Sequence, residues 1–159
     1  MIKCLERTFI FSDDVATCRR TYSTHRPALI GDINDRNVFE NIALPLKIAQ
    51  SSKDEINAKT LDIMDAVGLR DKGRRYPDEL SGGEQQRVAI ARSLISNPEI
   101  LIADEPTGNL DKKNSEDVIK LLFQLKQDFG STLILVTHDT SVAQLCDRII
   151  KLDNGLIVK

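Results

Sequence analysis

A glycine-rich polar octapeptide occupies residues 80–87 and consists of Leu-Ser-Gly-Gly-Glu-Gln-Gln-Arg. Ser81, followed three residues later by Glu84, forms a capping box, which predicts that a helix begins at this point. Gly82 and Gly83 carry no Cβ atom, so a phosphate can approach the unpaired amides at the positive end of that helix. The segment predicts an anion-binding helix N-terminus, and the alternative is a well-capped helix that binds nothing.

An acidic pair, Asp104 and Glu105, follows the apolar run at 100–103. A run without polar alternation is typical of a strand covered on both faces, and α/β folds bind ligands where such strands end. Asp104 has the chemistry to hold Mg²⁺ through water, and Glu105 has the chemistry to polarise a water that attacks a phosphoryl group. The alternative is that the two carboxylates only end a strand and begin a turn.

A histidine, His138, follows a second apolar run at 132–137. A lone histidine is more often a satisfied surface or core residue than a functional one. Here the two runs are predicted to be neighbouring parallel strands, so we expect His138 to lie beside Glu105 and to reach a terminal phosphate.

The elements that must position these residues follow from hydrophobic periodicity. It predicts helices over 52–67, 81–96, 112–129 and 141–146, a mixed apolar stretch over 37–46 that ends at Pro45, and a charged loop over 71–77. Strands 100–103 and 132–137 with the helix between them form a right-handed βαβ unit, and 148–158 forms a hairpin. The fold class is α/β, divided into an unassigned segment 1–36, a helical part 37–97 and an α/β part 98–159.

Composition excludes several classes of protein. The 159 residues carry 22 basic and 24 acidic side chains, for a net charge of −2, and no basic patch indicates a nucleic-acid partner. The apolar runs are far shorter than the roughly 20 residues that cross a bilayer. We therefore expect one globular domain without a membrane span or a secretory signal.

Together these segments resemble the ATP-binding subunits of ABC transporters over about residues 37–159. The octapeptide resembles the signature motif of that family, 100–105 its Walker B strand, 108–111 its D-loop and 137–139 its switch-histidine region. The resemblance implies a partial P-loop NTPase core, with a parallel sheet and a helical subdomain, and it implies ATP and Mg²⁺ as ligands.

The resemblance also implies roles for individual residues. Ser81, Gly82, Gly83 and Glu84 would form the nucleotide-binding face, which contacts the γ-phosphate of an ATP held by the opposite subunit. Asp104 would support Mg²⁺ and Glu105 would be the general base.

Two further roles are carried over in the same way. His138 would sense the γ-phosphate, and Asp111 of the D-loop would communicate across the dimer. The implied partners are a second ATP-binding subunit and a transmembrane permease subunit gripped by the helical segment 37–77, with no nucleic acid. The implied location is the cytoplasmic side of the inner membrane. The motifs favour the lipoprotein-releasing, cell-division and macrolide-export branch, although 38–46 is also similar to the methionine-import branch.

One family motif is missing from the sequence. No G-x-x-x-x-G-K-[ST] segment occurs, the only glycine before residue 37 is Gly31, and 21–35 contains no glutamine for a Q-loop. We therefore expect a truncated or divergent subunit that binds ATP poorly by itself, so whether it is an ATPase stays open. The alternatives are a non-catalytic module that supplies its signature face to a P-loop-bearing partner, and a soluble ABC-type ATPase of DNA repair or translation.

Overall fold

The computed structural model describes residues 2–4, 35–108, 110–153 and 156–158, the first of these ranges by its backbone alone. Most of the segment 1–36, Asn109 of the D-loop and the turn of the C-terminal hairpin lie outside the described residues. The helices are α1 (Val38–Ile48), α2 (Lys53–Ala66), α3 (Gly82–Leu94), α4 (Lys112–Asp128) and α5 (Thr140–Ala143). The strands are β1 (Ile2–Cys4), β2 (Ile100–Asp104), β3 (Thr132–Thr137), β4 (Ile149–Asp153) and β5 (Leu156–Val158).

The predicted βαβ unit is confirmed. β2 and β3 pair in parallel, in a register that places Ile100 opposite Thr132 and Asp104 opposite Val136, and α4 connects them. The predicted hairpin is also present, because β4 and β5 pair antiparallel. The strand order in the sheet is β2-β3-β1-β4-β5. Because β1 is antiparallel to both β3 and β4, the sheet is mixed, and the parallel pair of β2 and β3 lies at one edge.

The mixed apolar stretch that was predicted to end at Pro45 is helix α1 in the structure, and it continues beyond Pro45 to Ile48. Proline within a helix removes one hydrogen bond and costs about 3 kcal/mol. Ile42, Ala43 and Leu46 on this helix are all buried in the core. Burial of an aliphatic side chain contributes about 1.5–3 kcal/mol, so these contacts offset the cost of the proline. The predicted loop at 71–77 likewise contains parts of two short 3₁₀ turns, Arg70–Lys72 and Pro77–Glu79.

One hydrophobic core joins the helical part to the α/β part. The core cluster includes Ile42 of α1, Met64 of α2, Leu94 of α3, Leu122 of α4 and Leu135 of β3, all almost fully buried. In the described part of the chain no helix is both long and apolar enough to cross a membrane. The core therefore fixes α3 against α4, which sets the relative position of the two loops that precede these helices.

Candidate functional site

The N-terminus of α3 has the predicted capping box. The Ser81 hydroxyl accepts the amide of Glu84 at 3.3 Å, and the Glu84 carboxylate accepts the amide of Ser81 through Oε2 at 2.9 Å. Ser81 and Gly82 are exposed, whereas Gly83 is buried. Of the residues expected to meet a phosphate, Ser81 and Gly82 therefore face solvent and Gly83 does not.

The two glycines also allow α3 to approach the segment that precedes α4. A Cβ atom on Gly82 would lie 3.2 Å from Leu110 Cδ2, and one on Gly83 would lie 3.1 Å from Asn114 Oδ1. Both distances are shorter than ordinary van der Waals contact. The glycines thus allow α3 to pack closely against this segment, and their predicted role in phosphate access remains a prediction.

Glu84 is held at both carboxylate oxygens. Oε2 accepts the Ser81 amide, and Oε1 accepts Lys72 Nζ at 2.7 Å. The hydrogen bonds from Lys72 and then from the Ser81 amide lower the pKa of Glu84 from 4.5 to about 2. Both oxygens are therefore engaged within the chain, and the predicted nucleotide-binding role of Glu84 remains a prediction.

The ends of β2 and β3 bring the second group of predicted residues together. His138 donates its amide to Glu105 Oε1 at 3.1 Å, and His138 Nδ1 lies 2.9 Å from the same oxygen. The Glu105 amide in turn donates to the carbonyl of Val136 at 2.9 Å. The expected proximity of His138 and Glu105 is confirmed.

The backbone at Glu105 is left-handed, with φ of 46°. This region favours glycine, and a residue with a side chain held there costs about 1–3 kcal/mol. The Val136 carbonyl and the Gly108 amide, which donates to the Glu105 carbonyl at 3.1 Å, hold the conformation. Strain of this kind persists where the surrounding structure fixes it, and it is concentrated at functional sites.

Asp104 is the last residue of β2, and its side chain is exposed next to Glu105. The described residues contain no cluster of three His, Cys, Asp or Glu side chains that would hold a metal alone. Mg²⁺ usually takes one or two carboxylates together with substrate phosphates and water. One exposed carboxylate at the strand end therefore fits Mg²⁺ that arrives with a nucleotide, and the role of Asp104 as its ligand remains a prediction.

The segment between β2 and α4 passes close to the start of α3 at Leu110. Leu110 lies beside Gly82, and Asp111 caps α4 by accepting the Asn114 amide at 2.9 Å. Asp111 also accepts the Asn114 side-chain amide at 2.5 Å. Both hydrogen bonds lower the pKa of Asp111 below its ordinary value, and the one from the Asn114 backbone amide has the larger effect. The D-loop acid is thus fixed in place next to the signature segment.

A groove of 530 Å³ opens in the helical part. Its apolar lining is Phe39, Leu61 and Met64. Its charged lining is mixed, with basic side chains at Lys47, Arg70 and Arg74 and acidic ones at Glu40 and Asp71. All of these residues belong to the segment 37–77 that was expected to contact a membrane subunit.

Two residues that contact the signature segment, Lys72 and Asn114, were not among the site residues predicted from the sequence. Lys72 was placed in a charged loop without a partner, and Asn114 was one polar residue in a predicted helix. Their partners, Glu84 and Gly83, are distant in the sequence, so no local spacing indicated either contact.

Comparison with known proteins identifies the family. A family model described as "ABC transporter" matches residues 10–108. This match begins upstream of residue 37, at which the resemblance based on motifs was placed. The methionine import ATP-binding proteins of Carboxydothermus hydrogenoformans and Haemophilus influenzae are 41% and 43% identical over 128 residues. These matches span 80% of this chain and 38% and 37% of the relatives, respectively.

A solved structure gives the same result for the fold. The ATP-binding cassette MJ0796, in a dimeric post-hydrolysis state bound to ADP and Pi, matches with a TM-score of 0.69 and 39% identity. The match spans 80% of this chain and 56% of that chain. It confirms the predicted α/β class with a parallel strand pair and helices.

The comparisons correct the predicted branch. The relatives described above are named for methionine import, so they do not support the preference for the lipoprotein-releasing, cell-division and macrolide-export branch. The chain spans less than two fifths of the length of these relatives. With its signature helix, its strand-end acids and its D-loop in one fold, the chain belongs to the ABC transporter family of ATP-binding domains.

Proposed function

We propose that the chain is the ATP-binding part of an ABC transporter that couples ATP hydrolysis to transport. The observation that supports this most is the contact between Glu105 and His138, which joins the ends of two parallel strands at 2.9 Å and 3.1 Å. A carboxylate and an imidazole in contact there can orient a water and a terminal phosphate oxygen.

The nucleotide site is proposed to form between two subunits. Ser81, Gly82 and Gly83 of this chain close on the γ-phosphate of an ATP held by the P-loop of the opposite subunit. The exposure of Ser81 and Gly82 at the start of α3 supports this role, since a helix N-terminus and its dipole favour an anion. The dimeric state of the matching ATP-binding cassette is consistent with such an arrangement.

Within the hydrolytic site, Glu105 is proposed to accept the proton of the attacking water. His138 holds the Glu105 carboxylate on one side and offers its exposed ring to the γ-phosphate. Asp104 would hold Mg²⁺, which neutralises phosphate charge when the nucleotide is bound. Asp111, fixed by Asn114 beside Gly83, is proposed to report the state of one site to the other.

The groove is proposed as the contact for a transmembrane permease subunit, which would hold the chain at the cytoplasmic face of the membrane. Its apolar lining from Phe39, Leu61 and Met64 suits the apolar face of a short helix. The charged side chains in its lining, basic at Lys47, Arg70 and Arg74 and acidic at Glu40 and Asp71, suit a helix that carries charges of both signs.

Methionine is the proposed transported solute. The names of the relatives support this, and the sequence of residues 38–46 is also similar to the methionine-import branch. Removal of the gene from its source cells is expected to lower the uptake of labelled methionine. Unchanged uptake would contradict the proposed solute without affecting the proposed ATPase site.

The proposed role of Ser81, Gly82 and Gly83, the signature face, is tested by measuring ATP hydrolysis in a mixture of this chain with a partner subunit. The partner is an ABC ATP-binding subunit that carries its own P-loop but has its own signature serine replaced by arginine. Because that partner cannot complete a site with itself, hydrolysis above its background requires Ser81 of this chain. We expect the wild-type chain to stimulate hydrolysis and Ser81→Arg to abolish the stimulation.

Ser52→Arg is the matched control, since Ser52 caps α2 by accepting the Glu55 amide at 3.2 Å. It alters a serine cap of the same kind away from the signature segment. Equal loss of stimulation in both variants, or no stimulation by the wild-type chain, would refute the proposed signature face.

A non-catalytic module is the second candidate, because the sequence contains no Gly-Lys-Ser or Gly-Lys-Thr. The two candidates are separated with a partner whose own P-loop lysine is replaced by alanine and whose signature serine is intact. Hydrolysis in that mixture must use ATP bound beside Glu105 of this chain, and the catalytic proposal expects Glu105→Gln to abolish it. No hydrolysis with the wild-type chain would favour the non-catalytic module.

A further inference from the structure

We infer that Lys72 is a positioning residue for the signature loop and that its ion pair with Glu84 links the groove to that loop. The inference deepens the proposed function and rests on it, since it concerns how Ser81 is presented to a nucleotide. Lys72 itself is not expected to touch the nucleotide.

The first step is the geometry at Glu84. Lys72 Nζ binds Oε1 at 2.7 Å, and the Ser81 amide binds Oε2 at 2.9 Å. A carboxylate that accepts at only one oxygen can rotate about its side-chain torsions. With the second oxygen held by Lys72, the acceptor of the Ser81 amide is fixed, and the backbone at Ser81 is fixed with it.

The second step is the anchoring of Lys72. Its amide donates to the carbonyl of Leu69 at 2.9 Å, and its carbonyl accepts from Arg75 at 2.9 Å. The following residue, Gly73, accepts the Phe39 amide at 3.0 Å. The turn that carries Lys72 is therefore attached to the start of α1. These hydrogen bonds hold the backbone from which the Lys72 side chain extends to Glu84.

The third step is the position of this turn beside the groove. Arg70, Asp71, Gly73 and Arg74 all line the groove, while Lys72 in the same turn points to Glu84. Because this turn both lines the groove and carries Lys72, a partner bound in the groove would contact the residues on either side of Lys72. The ion pair with Glu84 thus provides a polar connection from the groove lining to the amide of Ser81.

The fourth step separates positioning from folding. If Lys72 is lost, the Ser81 hydroxyl still caps the Glu84 amide, and the core contacts of α3 at Val88 and Leu94 are untouched. The pair is also partly exposed, with 35% of the Lys72 side chain and 27% of the Glu84 side chain accessible. We therefore expect the loss to loosen Ser81 without unfolding the helix.

The test compares Lys72→Met with Lys72→Arg, which keeps the charge, in the full chain. Lys59→Met is the matched control, since Lys59 pairs with Glu55 at 2.7 Å within α2. Hydrogen exchange of the Ser81 amide is followed by nuclear magnetic resonance. For a partly exposed pair we expect Lys72→Met to speed exchange about three- to fivefold, with the two other variants close to the wild type.

The second readout is the mixed hydrolysis assay with the P-loop-bearing partner. Lys72→Met should raise the ATP concentration for half-maximal stimulation by about the same three- to fivefold, and Lys72→Arg should restore it. The inference is overturned if Lys72→Met matches Lys59→Met in exchange, if arginine fails to restore it, or if exchange changes while stimulation does not. If the wild-type chain gives no stimulation, the proposed function fails, and the exchange data still decide whether Lys72 positions Ser81.

Discussion

At the scale of single residues, two carboxylates illustrate opposite uses of local structure. Glu84 is stabilised in its charged form by Lys72 and the Ser81 amide, which lower its pKa to about 2. Glu105 instead occupies a left-handed backbone conformation that a side chain disfavours, with φ of 46°. The first carboxylate stabilises the fold, whereas the second is held in place by the fold, as expected for a residue with a chemical role.

The charge on Glu84 predicts a pH dependence of stability. Since its pKa is lower in the folded chain, its contribution is complete above its ordinary pKa of 4.5 and is lost as the pH falls toward about 2. We expect Glu84→Gln to lower the free energy of unfolding by about 1 kcal/mol at pH 7, and the difference from wild type to shrink below pH 4.5. Urea unfolding at several pH values measures this, and a difference that is independent of pH would contradict it.

The strain at Glu105 predicts a trade-off between stability and activity. Glu105→Gly relieves the left-handed backbone, so we expect it to raise the free energy of unfolding by about 1 kcal/mol while removing the proposed base. Glu105→Ala is the control, because it removes the same carboxylate but keeps the strain. Thermal unfolding of the two variants provides the measurement, and equal midpoints would argue against stored strain.

At the scale of elements, the notable contact is between the N-termini of α3 and α4. Each helix is capped by its own side chain, Ser81 for α3 and Asp111 for α4, and each cap follows from local spacing. Their mutual position depends on Gly83, which leaves room for Asn114. The signature segment and the D-loop therefore behave as one packed unit.

This packing predicts the effect of a methyl group on Gly83. Alanine is favoured over glycine within a helix by up to about 1 kcal/mol, yet here the added Cβ meets Asn114, which Asp111 holds in place. We expect Gly83→Ala to destabilise the chain by about 1 kcal/mol and Asn114→Ala to remove most of that penalty. A double-mutant cycle from urea unfolding gives the coupling, and additive effects would contradict the proposed contact.

At the scale of the whole molecule, the groove, the signature loop and the strand-end pair are parts of one body. The core from α1 to β3 packs against the elements that carry all three. The match to the ATP-binding cassette MJ0796 over 80% of the chain places this body within a known fold.

The sequence predicts weak nucleotide binding by this chain alone. No Gly-Lys-Ser or Gly-Lys-Thr is present to provide the lysine and loop amides that hold phosphates. We expect calorimetry with Mg-ATP to show no saturation below about 1 mM, the weak end of the affinity scale. Saturable micromolar binding would show that another part of this chain supplies the phosphate cradle.

The sequence by itself determined the features that depend on residues a few positions apart. The capping box at Ser81, the βαβ unit around α4 and the meeting of Glu105 with His138 all follow from short spacing and from the parallel pairing of two apolar strands. The tertiary structure alone decided the contacts of Lys72 with Glu84, across 12 residues, and of Asn114 with Gly83. Such contacts depend on how the core orients whole helices, and hydrophobic periodicity shows that a helix has a buried face but not which polar side chains will meet across it.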